Sequence, residues 1–183
     1  SFIRVPSMIS LGCAKNLVDA EIMLGTLMKE GIEITNDAAE ADVVIVNTCS
    51  FIDAAQEESV DTILESEELR KQYRPEQGLI VSGCLPQRYR TELPKLLPEV
   101  DAFMGIDQVE EISGIVRQAH QQRSARVKRG SKGTRKPSSA AGRGNTEASN
   151  AAVTEPHVDV HQRPNFIPDF ETPRFRLTPQ HFA

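Results

Sequence analysis

Short unbroken apolar runs and longer helical repeats alternate along the first two-thirds of the chain. Val43, Val44, Ile45 and Val46 form a continuous β-branched run, the pattern of a strand covered on both faces. Apolar runs at residues 5–11, 79–81 and 101–105 predict further strands, and a short one is expected at 32–35. Leu17, Ala20, Leu24 and Leu27 recur at helical spacing and predict a helix over residues 16–30. Asn16 would cap it, with Asp19 three residues on, and Gly31 would stop it. Residues 53–73 predict a long helix with acids in its first turns, where the helix dipole favours them. Pro86 suits a helix start, residues 88–97 predict a helix broken at Pro94, and residues 109–118 a closing helix. Strands alternating with helices predict the α/β class: a doubly wound, mainly parallel sheet with helices on both faces.

The pattern stops near residue 120. Residues 121–165 are rich in Ser, Gly, Ala, Arg and Lys and nearly free of large apolar side chains, so they cannot bury enough surface to offset the entropy of ordering. They read as a flexible, disordered basic linker. Residues 166–183 regain aromatics (Phe166, Phe170, Phe175, Phe182) and read as the start of a further domain. The expected organisation is therefore an α/β domain over 1–120, a linker over 121–165 and a lead-in over 166–183.

Charge sharpens this division. The formal net charge is −5, but residues 1–120 carry about twice as many acids as bases, and residues 121–183 about twice as many bases as acids. Clustered Lys and Arg in the linker could neutralise RNA phosphates, but a solvated linker accounts for them more simply. The acidic core argues against a dedicated nucleic-acid binder. No apolar run approaches the roughly 20 residues that span a bilayer, and residues 1–10 lack the charge and apolar layout of a signal peptide. The expectation is a cytoplasmic protein without a membrane partner. The chain has no initiator Met, as expected of one that begins inside a longer product.

Three cysteines, Cys13, Cys49 and Cys84, are an odd set that suits a reducing compartment better than a disulfide framework. Each lies just past the C-terminal end of a predicted strand, and a parallel sheet gathers those ends on one edge, where ligands bind. Each also precedes a predicted helix, whose N-terminal N–H groups favour thiolate. Gly12 and Gly83 directly precede two of them and would allow close approach of a bulky ligand, while Asp53, Glu57 and Glu58 oppose thiolate formation near Cys49. Four readings stand at this point: buried inert thiols, a zinc site, a disulfide with a spare cysteine, and an iron–sulfur cluster. Zinc is disfavoured, because no short C-x₂₋₄-C pair exists and His120, His157, His161 and His181 all lie at or beyond the end of the α/β core.

The residues around the cysteines carry a resemblance. Residues 10–21 read SLGCAKNLVDAE, 47–59 read NTCSFIDAAQEES and 82–89 read SGCLPQRY. Together they resemble the N-terminal cluster domain of the radical-SAM methylthiotransferases, most closely the branch that modifies an aspartate of a small-subunit ribosomal protein rather than the tRNA-modifying branch. Residues 174–183, RFRLTPQHFA, resemble the lead-in to that family's catalytic barrel. The resemblance implies that Cys13, Cys49 and Cys84 hold an auxiliary 4Fe–4S cluster with one open coordination site, which carries the methylthio sulfur. It also implies a second 4Fe–4S cluster and S-adenosylmethionine in a radical-SAM domain, and a separate sulfur donor. That domain needs a CxxxCxxC triad, which this chain lacks. The expectation is a fragment that binds one cluster, has no catalytic residue of its own and is inactive alone. Within the family the alternative is a tRNA-modifying methylthiotransferase; the competing readings outside it are a doubly wound module for a phosphorylated ligand or flavin, and an RNA- or ribosome-binding adaptor. Neither G-x-G-x-x-G nor G-x₄-G-K-[ST] is present to support the former.

Overall fold

The computed structural model describes residues 6–132, 156–160, 172–173 and 175. Five strands, β1 (Pro6–Ser10), β2 (Val43–Thr48), β3 (Gly78–Gly83), β4 (Ala102–Met104) and β5 (His157–Asp159), form an all-parallel sheet in the order β1-β2-β3-β4-β5. The helices are α1 (Ala14–Lys29), α2 (Asp53–Tyr73), α3 (Cys84–Arg88), α4 (Leu93–Leu96) and α5 (Ile112–Lys132), the last entered through a 3₁₀ turn at Val109–Glu111. The side-chain period of two along β2 decides how the core divides. Val43 and Ile45 pack with Ile22, Leu27, Ile112 and Val116 of α1 and α5. Val44 and Val46 pack on the other face with Ile63 of α2 and with Leu85 and Leu93 of the α3–α4 segment. Helices thus cover both faces, as the unbroken apolar run requires.

The strand order never reverses. Each strand is added on the same side of the last, yet α1 and α2 lie on opposite faces. Between α1 and β2 the chain passes along the outer edge of β1, where Thr35 N–H bonds Pro6 O, so β1 lies between that segment and β2. A site on the C-terminal edge is built by the loops that leave the strands there.

Local chemistry explains most element ends. After α1, Gly31 N–H donates to Met28 O at 3.0 Å and Ile32 N–H to Leu27 O at 3.0 Å, the paired bonds of a Schellman stop. At its start Cys13, not Asn16, occupies the cap position, and α1 begins two residues earlier than the periodicity predicts. Residues 32–35 form no strand; Thr35 N–H bonds Pro6 O at 3.3 Å and the segment runs as a loop over the sheet edge. The helix expected at 88–97 is replaced by two short ones with a turn between them.

The linker expected over 121–165 also changes. Helix α5 continues through Lys132, and His157–Asp159 form the fifth strand. Two arginines assigned there on composition are tied to the fold: Arg123 Nε donates to Pro75 O at 2.6 Å, and Arg126 pairs with Asp101 at 3.2 Å. The rest of that stretch, and the proposed lead-in apart from residues 172, 173 and 175, lie outside the described residues. Phe175 N–H bonds Glu21 O at 2.8 Å, so the returning chain meets α1. Among the described residues, no helix is long and apolar enough to cross a membrane.

Candidate functional site: a three-cysteine rim

Of the loops at the C-terminal edge of the sheet, those after β1, β2 and β3 each carry a cysteine. Cys49 and Cys84 directly follow β2 and β3, and Cys13 follows β1 by three residues. Cys13 is exposed, Cys84 half-buried and Cys49 buried. The loops touch through Gly12, whose backbone has φ +90°; a Cβ there would lie 2.3 Å from Cys49 Cβ and 2.7 Å from its Sγ. Only a residue without a side chain lets the Cys13 loop close onto Cys49.

Two buried asparagines join the three loops. Asn16 Nδ2 donates to Leu11 O at 2.9 Å and to Thr48 O at 2.6 Å, while its Oδ1 accepts from the Cys84 thiol at 3.7 Å. Asn47 Nδ2 donates to Asn16 O at 2.7 Å, and its Oδ1 accepts from Ser82 at 3.3 Å. Thr48 Oγ1 closes the circuit on Ser82 O at 2.6 Å. Ser59 of α2 holds the third side: its Oγ accepts from Cys49 N–H at 3.2 Å and lies 3.0 Å from Cys49 O. Buried polar groups of this kind persist when partnered, and each bond here spans two elements.

The thiols differ electrostatically. The backbone N–H of Asn16 at the start of α1 holds the Cys13 thiol below its usual range; burial opposes it, and the N–H of Lys15 adds to the lowering. Burial pushes the Cys84 thiol up; Lys15 opposes this, and the neighbouring Cys49 and Cys13 add to it. The helix-terminus argument therefore holds for Cys13 alone. Cys84 opens a five-residue helix but is desolvated, and Cys49 lies four residues before α2. Asp53, Glu57 and Glu58 are exposed to solvent. In the metal-free chain, iodoacetamide at about pH 8 is expected to alkylate Cys13 first, Cys84 more slowly and Cys49 last, because thiolate fraction and access act together. Peptide mass spectrometry over time checks the order, and Cys49 reacting first would contradict this arrangement.

Sequence reasoning brought the three cysteines to one rim but missed what organises them. It read Asn16 as a helix cap, whereas Asn16 is wholly buried and bridges the loops. Asn47, Thr48, Ser59 and Ser82 were not singled out. An asparagine at the end of a β-branched buried strand was the available signal, since an amide there must find partners. Lys15 pairs with Asp19 at 2.6 Å, and Arg88 donates to Ser50 O at 3.1 Å beside the rim. Of the histidines, His157 is inside the fold, opposite Ala102 and 3.2 Å from Gln118 Nε2. His161 and His181 lie outside the described residues.

Among the described residues, no group of three or more His, Cys, Asp and Glu is set to grip a single metal ion. A cluster is larger than an ion, and its test is the chemistry of the donor set. The side chains at the rim that could ligate are three thiols, the soft donors that iron–sulfur clusters take. The positions before two of them, Gly12 and Gly83, carry no side chain that would occupy the rim.

Residues 6–105, more than half of the chain, match the Uncharacterized protein family UPF0004. The chain belongs to the UPF0004 family. All three cysteines and both asparagines of the rim fall within the matched stretch. Curated relatives of this UPF0004 chain bear the name ribosomal protein uS12 methylthiotransferase RimO. One, from Opitutus terrae, is 46% identical over 180 residues, covering 97% of this chain and 33% of that protein. One from Akkermansia muciniphila is 42% identical over 96% of this chain and 33% of its own length. One from Geobacter sulfurreducens is 58% identical over 110 residues, 60% of this chain and 24% of that protein. The UPF0004 chain thus spans at most about a third of these relatives.

Proposed function

We propose that the UPF0004 chain is the auxiliary-cluster part of a radical-SAM methylthiotransferase that modifies an aspartate of ribosomal protein uS12. The observation that carries this reading is the convergence of three thiols on one sheet edge, inside the stretch shared with the uS12 methylthiotransferases. Cys13, Cys49 and Cys84 would be the protein ligands of a 4Fe–4S cluster. When bound, such a group would leave one iron without a protein ligand, the position at which the methylthio sulfur is carried.

The chain's own residues do the positioning. Gly12 and Gly83 bring backbone close to the rim without a side chain in the way. Asn16 and Asn47 hold the three loops in mutual register, and Ser59 fixes the peptide of Cys49. Cys13, exposed and with a lowered thiol pKa, is the natural first point of attachment. S-adenosylmethionine and the second cluster would belong to a radical-SAM domain, and the sulfur donor would be a separate partner. This chain has three cysteines, all on the rim, and no CxxxCxxC triad, so alone it is expected to load one cluster and perform no net methylthiolation. Three free thiols also suit a reducing, cytoplasmic setting.

Anaerobic reconstitution with iron and sulfide tests the reading. The wild-type chain is expected to hold about four irons with a 4Fe–4S absorption and EPR signature. Cys13→Ala, Cys49→Ala and Cys84→Ala should each lose most of it. A wild-type chain that binds no iron, or three variants that all load normally, would defeat the proposal.

A further inference from the structure

An open groove of about 490 Å³ runs between the first turns of α2 and the α3–α4 segment. It begins at the cysteine rim, because Cys84 is the first residue of α3 and Leu85, the next, lines the groove. Its floor is apolar: Val60, Leu85, Leu93 and Leu96. Leu96 is 74% exposed at the far end, and Phe51 and Ile52, 87% and 56% exposed, stand at the head of α2 one turn before the groove. Its walls carry Glu57, Asp61 and Glu92 and no basic residue. Glu57 and Asp61, four residues apart on α2, make no ion pair among the described residues. Three cations adjoin lining residues in sequence: Arg88 is turned to Ser50 O and the Tyr89 ring, Lys95 acts on Glu92, and Arg90 follows Tyr89, leaving Glu57 and Asp61 as the acidic wall on the α2 side.

An apolar floor flanked by carboxylates, two of them without an ion pair among the described residues, selects its occupant. Phosphates are repelled, which excludes a nucleic acid. The chain's own basic stretch supplies charge but, over residues 121–155, has no Leu, Ile, Met or aromatic to fill the floor. The complementary ligand is a polypeptide segment that carries Lys or Arg beside an apolar anchor. Proteins that sit on RNA are rich in such segments because they neutralise phosphates. We propose that this groove docks a cationic, apolar-anchored segment of the ribosomal-protein substrate and so delivers that protein to the cysteine rim. The proposal rests on the functional reading above.

The test uses the 183-residue chain and purified, fluorescently labelled ribosomal protein uS12, with binding read by anisotropy. Glu57→Lys with Asp61→Lys reverses the groove wall. Glu110→Lys with Glu111→Lys makes the same change of charge on the exposed 3₁₀ turn of the opposite face. The groove pair is expected to weaken binding about tenfold or more and the control pair less than about threefold, because like charges at a contact cost far more than distant ones. Leu96→Ala, which keeps the charge, should weaken binding by several-fold. Equal losses from the two charge pairs, no loss from the groove pair, or no binding by the wild-type chain would overturn the docking proposal. Iron content of the same proteins after reconstitution reports separately on the cluster. Normal loading with unaltered uS12 binding by the groove variants would sink the groove alone, whereas groove-dependent binding by a chain that takes up no iron would sink the cluster reading alone.

Discussion

Replacing Gly83 with alanine is expected to destabilise the fold by about 3–5 kcal/mol, more than most single substitutions. Gly83 ends β3 with φ +99° and ψ −150°, a region open essentially to glycine alone. The backbone conformation by itself accounts for roughly 1–3 kcal/mol. The remainder is steric: a Cβ would lie 2.4 Å from Thr48 O and 2.7 Å from Asn47 Oδ1. Neither is the far end of a flexible chain; one is backbone and the other is fixed in the asparagine circuit. Both flank Cys49, so the damage should reach the rim as well as the fold. Urea unfolding gives the stability change, and faster alkylation of Cys49 and Cys84 would report the loosened loops. Gly114→Ala is the contrast. That glycine lies in α5 with no atom within 4 Å of a Cβ, so alanine there should be neutral or stabilising by up to about 1 kcal/mol. A Gly83→Ala chain as stable as wild type would mean that the turn before Cys84 is not held as described.

The second large effect lies at the opposite edge of the sheet. Arg70→Met is expected to cost about 3–5 kcal/mol, the range for breaking a buried ion pair by removing one partner. Arg70 is wholly buried near the end of α2; its Nη1 bonds Asp101 Oδ2 at 2.6 Å and Gln77 O at 3.1 Å, and its Nη2 bonds Glu99 O. Asp101 is equally buried and also accepts from Leu79 N–H at 2.9 Å. Methionine fills most of the space but leaves a buried carboxylate and two carbonyls short of donors. Arg126 of α5, at 3.2 Å from the other carboxylate oxygen, offsets part of the loss. Combining Arg70→Met with Asp101→Asn should cost less than the sum of the two single changes, by at least about 1 kcal/mol, because the two groups share the same bonds. Strict additivity would place the stabilisation in the carbonyl contacts instead of the pair.

This network also shows where composition misleads. Residues 121–132 look like linker because they are polar and basic, yet Arg123 and Arg126 are the side chains that fasten α5 to Pro75 and Asp101. Ile112, Ile115, Val116 and Ala119 anchor the first half of α5, but its second half is held by these charged side chains and carries no apolar period to read. The fifth strand is hidden for a related reason. His157–Asp159 is three residues long and only partly buried, so its place depends on the open edge of β4.

Other features were legible along the chain because their causes are local. The limits of α2 are those the pattern predicts, and Gly31 ends α1 as a glycine at that position should. The β-branched run of β2 required cover on both faces, which forced helices onto both sides of a parallel sheet. A parallel sheet with three cysteines after three strands then required those cysteines to share an edge. Strand order has no local signature, since it depends on which neighbour each strand finds. The same holds for the joints of the rim. Gly12 against Cys49, and Asn16 reaching Thr48 O, join residues more than thirty positions apart. Which thiol is exposed, which is desolvated and what holds the loops in register follow from those long-range contacts, and only the folded chain brings them together.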